Sequence, residues 1–259
     1  MKFNNKNVTI HNDVKIGSNV EIGDNTTIYP NVIIGDNTII ANDCVIGEPI
    51  NDYYRKRLEY VNPPTKIGSD SLIRSHTIIY CNSEFGNHLT TGHRVTIREK
   101  TIIGNHSSVG SYCDIQGDCV IGNYSRLHSY VNVGQKAKIG SFVFIYPYVT
   151  ITNDLTPPSR PLKGVFIGDY TQIGTNSTLL STSKINQSCL VAAGSIVFGE
   201  YENDSFISGN PAKRVGKLSK MPFFNDKGNR NYPWQKHFSE GLPWAEIGFE
   251  DWSKLQNDD

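Results

Sequence analysis

The sequence predicts an all-β chain wound into a triangular parallel β-helix, and three observations predict it. An aliphatic residue recurs every sixth position, a small residue recurs two positions before it, and Asn or Asp recurs at a third fixed offset. Period six fits neither the 3.6 of an amphipathic helix nor sustained strand alternation. It fits short strands joined by repeated turns.

The first block carries Ile10, Ile16, Ile22, Ile28, Ile34, Ile40 and Ile46. The phase then jumps by three and the period resumes at Ile67, Ile73 and Ile79, passes Phe85 and Thr91, and runs from Ile97 to Ile151. After a jump of four it runs from Ile167 to Val197. Thr91 is the one periodic residue that is not apolar. The small position reads Val8, Val14, Val20, Thr26, Val32, Thr38 and Cys44, and later Ser107, Cys113, Cys119, Ser125 and Val131, with Leu89 its one long side chain. Residues two apart on a strand point to one side, so both series face inward. Gly17, Gly23, Gly35 and others after the periodic residue, with Asp13, Asn19, Asn25, Asn31, Asn37 and Asp43, are expected to supply positive φ at the turns. Three hexads close one coil of 18 residues. The 28 hexads make about nine coils, and a prism roughly 43 Å long at the inter-strand spacing of about 4.8 Å.

The two phase jumps mark insertions, at 48–65 and 152–165. The first holds Tyr53, Tyr54, Arg55, Lys56 and Arg57, which suit either a flap over a nucleotide diphosphate or a solvated basic loop. The second holds three prolines, which prevent ladder pairing, so the loop must leave the coil. The helix is expected to end by residue 217. Residues 218–259 contain all three Trp and form a separate small extension, partly helical around Pro243–Leu255, that caps the last coil or lies on a neighbouring chain. Lys2–Asn7 and this tail are the candidates for covering the open ends.

With 25 Lys+Arg against 25 Asp+Glu in 259 residues, broad electrostatic attachment to nucleic acid or an anionic membrane is not expected. There is no run of 18 apolar residues and no apolar N-terminal stretch, so the expectation is a cytoplasmic protein. Four of the five cysteines (Cys44, Cys113, Cys119, Cys189) sit at the small inward position, as core filler and reduced thiols. No metal site is expected.

The repeat resembles that of the hexapeptide-repeat acyltransferases, over roughly residues 8–215, and the resemblance implies a left-handed coil. The string Gly209-Asn210-Pro211-Ala212-Lys213-Arg214-Val215 is similar to the closing motif of the acetyl-CoA-dependent members, and Ala192-Ala193-Gly194-Ser195 to their pantetheine-facing rung. This implies acetyl-CoA as co-substrate, with Lys213 and Arg214 near its phosphates, Ala193 and Gly194 along its arm, and Asn153 in the protruding loop. The stretch Thr90-Thr91-Gly92-His93-Arg94-Val95-Thr96-Ile97-Arg98-Glu99, with Ile145-Tyr146-Pro147 and Thr152-Asn153-Asp154 downstream, resembles motifs of nucleotide-sugar N-acetyltransferases. That group implies a dTDP-3-amino-3,6-dideoxyhexose acceptor, a role in surface-polysaccharide or lipopolysaccharide biosynthesis, and a homotrimer with clefts between chains.

Residues 18 apart share a corner. One column reads Arg74, Gly92, Gly110, His128, Tyr146, and its two glycines leave a notch below His128. Another reads Tyr80, Arg98, Gln116, Gly134. Acyl transfer to an amine needs a neutral nitrogen at the thioester carbonyl and a donor for the oxyanion. His128 is the candidate for hydrogen-bonding the sugar or moving its proton, and Glu99 for orienting the amine unless Arg98 or Lys100 holds it. Arg74 and Arg98 suit a pyrophosphate, and His93 and Tyr146 the sugar. Two alternatives stay open: O-acetylation of a sugar or serine, and a non-catalytic β-helical scaffold.

Overall fold

The computed structural model describes residues 5–56 and 59–256. Strands of mostly two residues stack into three sheets of ten, ten and eleven strands; all but the last strand of the third sheet run parallel, each pairing with the strand three further on. This is the left-handed parallel β-helix. Each periodic residue lies over its equivalent one coil away, as in Ile28↔Ile46 and Ile97↔Ile115, so the core is one continuous column. From Ile28 to Ile207 the column is buried, and the cysteines fill the space beside it as free thiols.

There are about ten coils rather than nine, giving a prism roughly 48 Å long. The added strands are Glu200–Tyr201 and Ser205–Gly209, where Tyr201 and Ile207 continue the inward column. Ala212–Lys217 then folds back antiparallel on Ser205–Gly209 and covers the open edge of the third sheet.

The turns also differ from expectation in one respect. Asp13, Asn19, Asn25, Asn31, Asn37 and Asp43 do take φ of 56–62°, and the same offset stays left-handed when the residue is His88, Tyr112 or Phe142. Most glycines after the periodic residue do not have positive φ; they allow close approach instead. A Cβ at Gly110 would lie 2.5 Å from the His128 carbonyl carbon and the Ser129 nitrogen of the next coil.

The first insertion carries a short helix, Asn51–Arg55, and is tied to the prism by buried Asn62. The Asn62 amide donates to the carbonyls of Pro30 (3.1 Å) and Gly47 (2.9 Å). The tail holds short 3₁₀ turns at Leu218–Lys220 and Trp234–Lys236, and the helix Phe249–Leu255. Its Trp234, Leu242 and Trp244 do not cap the last coil. They lie along the side of the prism, on Phe142 and Phe144, with Phe249 and Trp252 packed against the cluster. Of the candidate end caps, Lys2–Asn4 lies outside the described residues.

Candidate functional site

The corner that follows the third sheet presents a polar cleft of about 330 Å³. Its floor is Gly92 and Gly110, its walls carry Thr90, Ser108, Ser111 and Ser129, and Arg74, Arg126 and His128 border it. The notch read from the sequence is therefore present. Bare glycines keep the floor low because the next coil passes too close to admit a side chain.

Thr91 explains how Arg74 is held. In a regular coil the residue after a strand donates its N–H to the carbonyl one rung on, as Gly68 does to Phe85 (3.0 Å). Arg74 N–H donates instead to the Thr91 hydroxyl (3.0 Å). The freed Thr91 carbonyl then accepts from Arg74 Nη1 (3.0 Å). The one polar residue in the aliphatic column thus anchors a guanidinium at the cleft.

His128 stands on the same corner, its ring stacked on Tyr146 at 5.3 Å. Its carbonyl accepts from the buried Cys113 thiol (3.0 Å), which burial pushes up to about 11 and so keeps protonated. Desolvation first and the Arg126 cation second lower the imidazole below its ordinary value, so the neutral form prevails at neutral pH. A second cleft, of about 300 Å³, opens beside the same imidazole. It is walled by Phe144, Tyr146, Trp234 and Phe238, with Gln172 and Arg126. The tail supplies two of its four aromatic walls and is pinned there: Trp234 Nε1 donates to the Tyr170 carbonyl (2.7 Å) and the Tyr232 hydroxyl to Gln172 Oε1 (2.9 Å). Sequence reading missed Arg126, Phe144, Gln172, Trp234 and Phe238. The available signal was aromatic residues displacing polar ones at outward positions of the coils around 142–146.

The other sequence-derived residues divide between corners. His93 is exposed on the turn after Gly92, its N–H donating to Ser111 Oγ (3.0 Å). Ala193 and Gly194 follow the third-sheet strand Leu190–Val191, on the corner of His128 and three rungs beyond it, roughly 14 Å at the inter-strand spacing. Nothing lies within 4 Å of where a Gly194 Cβ would be, so the backbone there is open to a ligand. Lys213 and Arg214 are exposed on Ala212–Lys217. Arg214 is engaged by Glu202 (3.2 Å) and Ser205 (3.0 Å).

Arg98 and Glu99 lie on the corner after the first sheet, as do Asn153 and the Tyr53–Tyr54 insertion. Arg98 donates to both Glu99 oxygens (2.9 and 3.1 Å) and sits over the Tyr80 ring. Tyr53 packs edge-on against Tyr54 and Tyr60. The Tyr54 hydroxyl donates to Glu48 (2.6 Å), which with burial raises it to about 12. Arg55 ends the short helix, and Arg57 lies outside the described residues. Asn153 lines a third cleft of about 290 Å³, where its carbonyl accepts from Lys163 N–H (3.0 Å). One chain therefore does not bring His128 and Glu99 to one cleft. Among the described residues no group of three His, Cys, Asp or Glu is placed to hold a metal, and no helix is long and apolar enough to cross a membrane.

Residues 13–48 and 100–135 match the model of the bacterial transferase hexapeptide (six repeats), so the chain carries that repeat. Serine acetyltransferase 4 of Arabidopsis thaliana is 42% identical over 50 residues, 19% of this chain and 14% of that protein. The Bacillus subtilis (strain 168) protein YvoF, named as an acetyltransferase, is 39% identical over 57 residues, 22% of this chain and 33% of that one. The matches thus span a third or less of these curated relatives. Among solved structures, an Arabidopsis UDP-N-acetylglucosamine acyltransferase superposes with a TM-score of 0.67 at 16% identity, over 100% of this chain and 90% of that one. A UDP-N-acetylglucosamine O-acyltransferase from Moraxella catarrhalis RH4 superposes at 0.50 and 20% identity, over 96% and 92%. At these identities the likeness is one of fold.

Proposed function

We propose that this chain is an acyltransferase that moves an acyl group from its coenzyme A thioester, with acetyl-CoA as the reference donor for N-acetyl transfer, to the amine of a nucleotide-linked amino sugar. A dTDP-3-amino-3,6-dideoxyhexose is the favoured acceptor. The single observation that carries the reading is the placement of His128, a neutral imidazole between a polar cleft and an apolar one. The hydroxyl-lined cleft with Arg74 and Arg126 suits a sugar and its phosphates. The open Ala193–Gly194 turn suits an extended pantetheine arm, and Lys213 and Arg214 its phosphates. The relatives named as acetyltransferases support the reaction class.

In the step proposed, the amine nitrogen attacks the thioester carbonyl, a C–N bond forms and the C–S bond breaks. Sulfur leaves with the bonding electron pair, and the amine proton passes to His128 Nε2 or Nδ1 or to the thiolate. Arg98, on another corner, would enter from a neighbouring chain of a trimer to meet the diphosphate, and Glu99, both of whose oxygens Arg98 holds, positions that guanidinium rather than the amine.

Purified protein mixed with acetyl-CoA and a panel of dTDP- and UDP-amino sugars should release thiol. No turnover and no acceptor binding across the panel would remove the reading. O-acylation is the second reading, favoured by the O-acyltransferase folds and the serine acetyltransferase match. A hydroxyl needs a base, so His128→Ala would then abolish the rate, whereas an amine acceptor predicts a modest loss.

A further inference from the structure

We infer that the aromatic cleft beside His128 receives the acyl group of the donor, and that this group is an apolar chain longer than acetyl; the inference rests on the acyl-transfer reading above. The two clefts share Arg126 and His128, so ligands in each would meet at one imidazole. Their chemistries differ. The lower cleft offers hydroxyls and bare backbone, whereas the upper is walled by four aromatic rings. At about 300 Å³ the upper one holds a volume on the order of ten water molecules, far beyond an acetyl methyl.

The upper cleft is also a poor place for a sugar or a diphosphate. Beyond the shared His128 and the Tyr146 hydroxyl, its neutral hydrogen-bonding side chain is Gln172, and Tyr232 already donates to its Oε1. The Arg126 guanidinium is drawn over the Phe144 ring at 5.6 Å, at the border with the polar cleft. The cleft is held in shape by the tail. Trp234 is buried against Phe144 and hydrogen-bonded to the Tyr170 carbonyl, so its ring forms a fixed wall. Phe238 closes the outer side and is 40% exposed, which places it where the end of a chain would emerge. The Ala193–Gly194 turn lies on the same corner beyond this cleft. An arm descending from that turn to His128 carries its thioester to the mouth of the aromatic cleft before reaching the polar one. The transfer itself is unchanged: C–N forms, C–S breaks, and sulfur leaves with the electron pair.

Calorimetry on the full chain with CoA and with acetyl-, butyryl-, hexanoyl- and octanoyl-CoA tests this without an acceptor. Each methylene that is fully buried strengthens binding about fourfold. Hexanoyl-CoA should therefore bind at least about tenfold more tightly than acetyl-CoA. Phe238→Trp, which fills the outer part, should bring that hexanoyl-to-acetyl ratio close to one, and Phe238→Ala should extend the gain to octanoyl. A ratio near one in the unaltered chain, with CoA still bound, would overturn the inference and leave the transferase reading standing. Displacement of hexanoyl-CoA by dTMP or UMP, with nucleotide binding lost in Phe238→Trp, would make the cleft a base site and overturn it too. Failure to bind CoA at all would remove both.

Discussion

Thr91 occupies a column position where every other residue is apolar, and its hydroxyl alters the hydrogen-bond pattern of one rung. Thr91→Val keeps the shape and removes the acceptor of the Arg74 N–H. The Arg74 backbone must then reclaim the Thr91 carbonyl, and the guanidinium loses its tether. The acceptor KM should rise about tenfold with kcat little changed, since a lost hydrogen bond to a charged group is worth about 1.5 kcal/mol or more. Equal kinetics in Thr91→Val would show that Arg74 does not meet the acceptor. His128 makes a separate prediction through pH. Its folded value lies below 6.5, because desolvation and Arg126 both oppose the cation. His106 is lowered as well, by desolvation and by His88. Below pH 6.5 the unfolded chain binds protons that these folded imidazoles refuse, so stability falls as pH drops through 6.5 toward the folded values. The drop in Tm between pH 7.5 and 5.5 should shrink in His128→Asn. The acid limb of kcat/KM should lie below 6.5 in the unaltered chain.

At the scale of elements, the hexads were legible because each strand and turn is specified within six residues. The left-handed offset reads as Asn or Asp in the first coils, and the inward column reads as Ile or another apolar residue everywhere but Thr91. The last two strands were missed because the spacing from Val197 to Tyr201 shrinks to four, which hides a rung that still pairs in register. The corner column of His128 was legible from the 18-residue coil, so the polar cleft could be placed. The aromatic cleft could not, because it needs the tail to fold across the prism, and no local period encodes that docking. Its trace is that Tyr124, Phe142 and Tyr170 occupy the left-handed offset where earlier coils have Asn, and their rings stack into the surface the tail covers. Trp244 is the centre of that contact. It is 1% exposed, meets Phe142, Phe249 and Trp252 at 5.0–5.1 Å, and donates to the Phe238 carbonyl. Trp244→Ala should cost about 3–5 kcal/mol of tail docking. Near-UV circular dichroism should weaken and protease cleavage should appear within 218–256, while the thermal transition of the coils stays in place. A transition that falls by tens of degrees would instead make the tail part of the prism's own stability.

For the whole molecule, the decisive geometric fact is that the residues singled out for the acceptor lie on two corners of one prism. Arg74 and His128 follow the third sheet, and Arg98 and Glu99 follow the first. A parallel prism of two-residue strands is rigid, so no hinge can carry one corner to another within a chain. Three chains about a threefold axis can face the first-sheet corner of one copy with the third-sheet corner of the next, which would complete three equivalent sites. Exposed Tyr112, Tyr130 and Tyr148, stacked at 4.9 Å beside the His128 corner, offer an apolar ridge for such a neighbour. The consequence can be counted. His128→Trp plugs the clefts on one corner, and Arg98→Glu repels a diphosphate at the other, so each variant alone should be inactive. When the two variants are co-expressed in equal amounts, a site regains both native residues only where an Arg98→Glu chain supplies His128 and a His128→Trp chain supplies Arg98. Random assembly makes about a quarter of the sites of that kind. Every mixed trimer, whichever variant is in the majority, holds one such site in three, so mixed trimers isolated by two affinity tags should recover roughly a third of native turnover. A site built within one chain recovers nothing in any mixture, because every chain then carries a lesion in its own site.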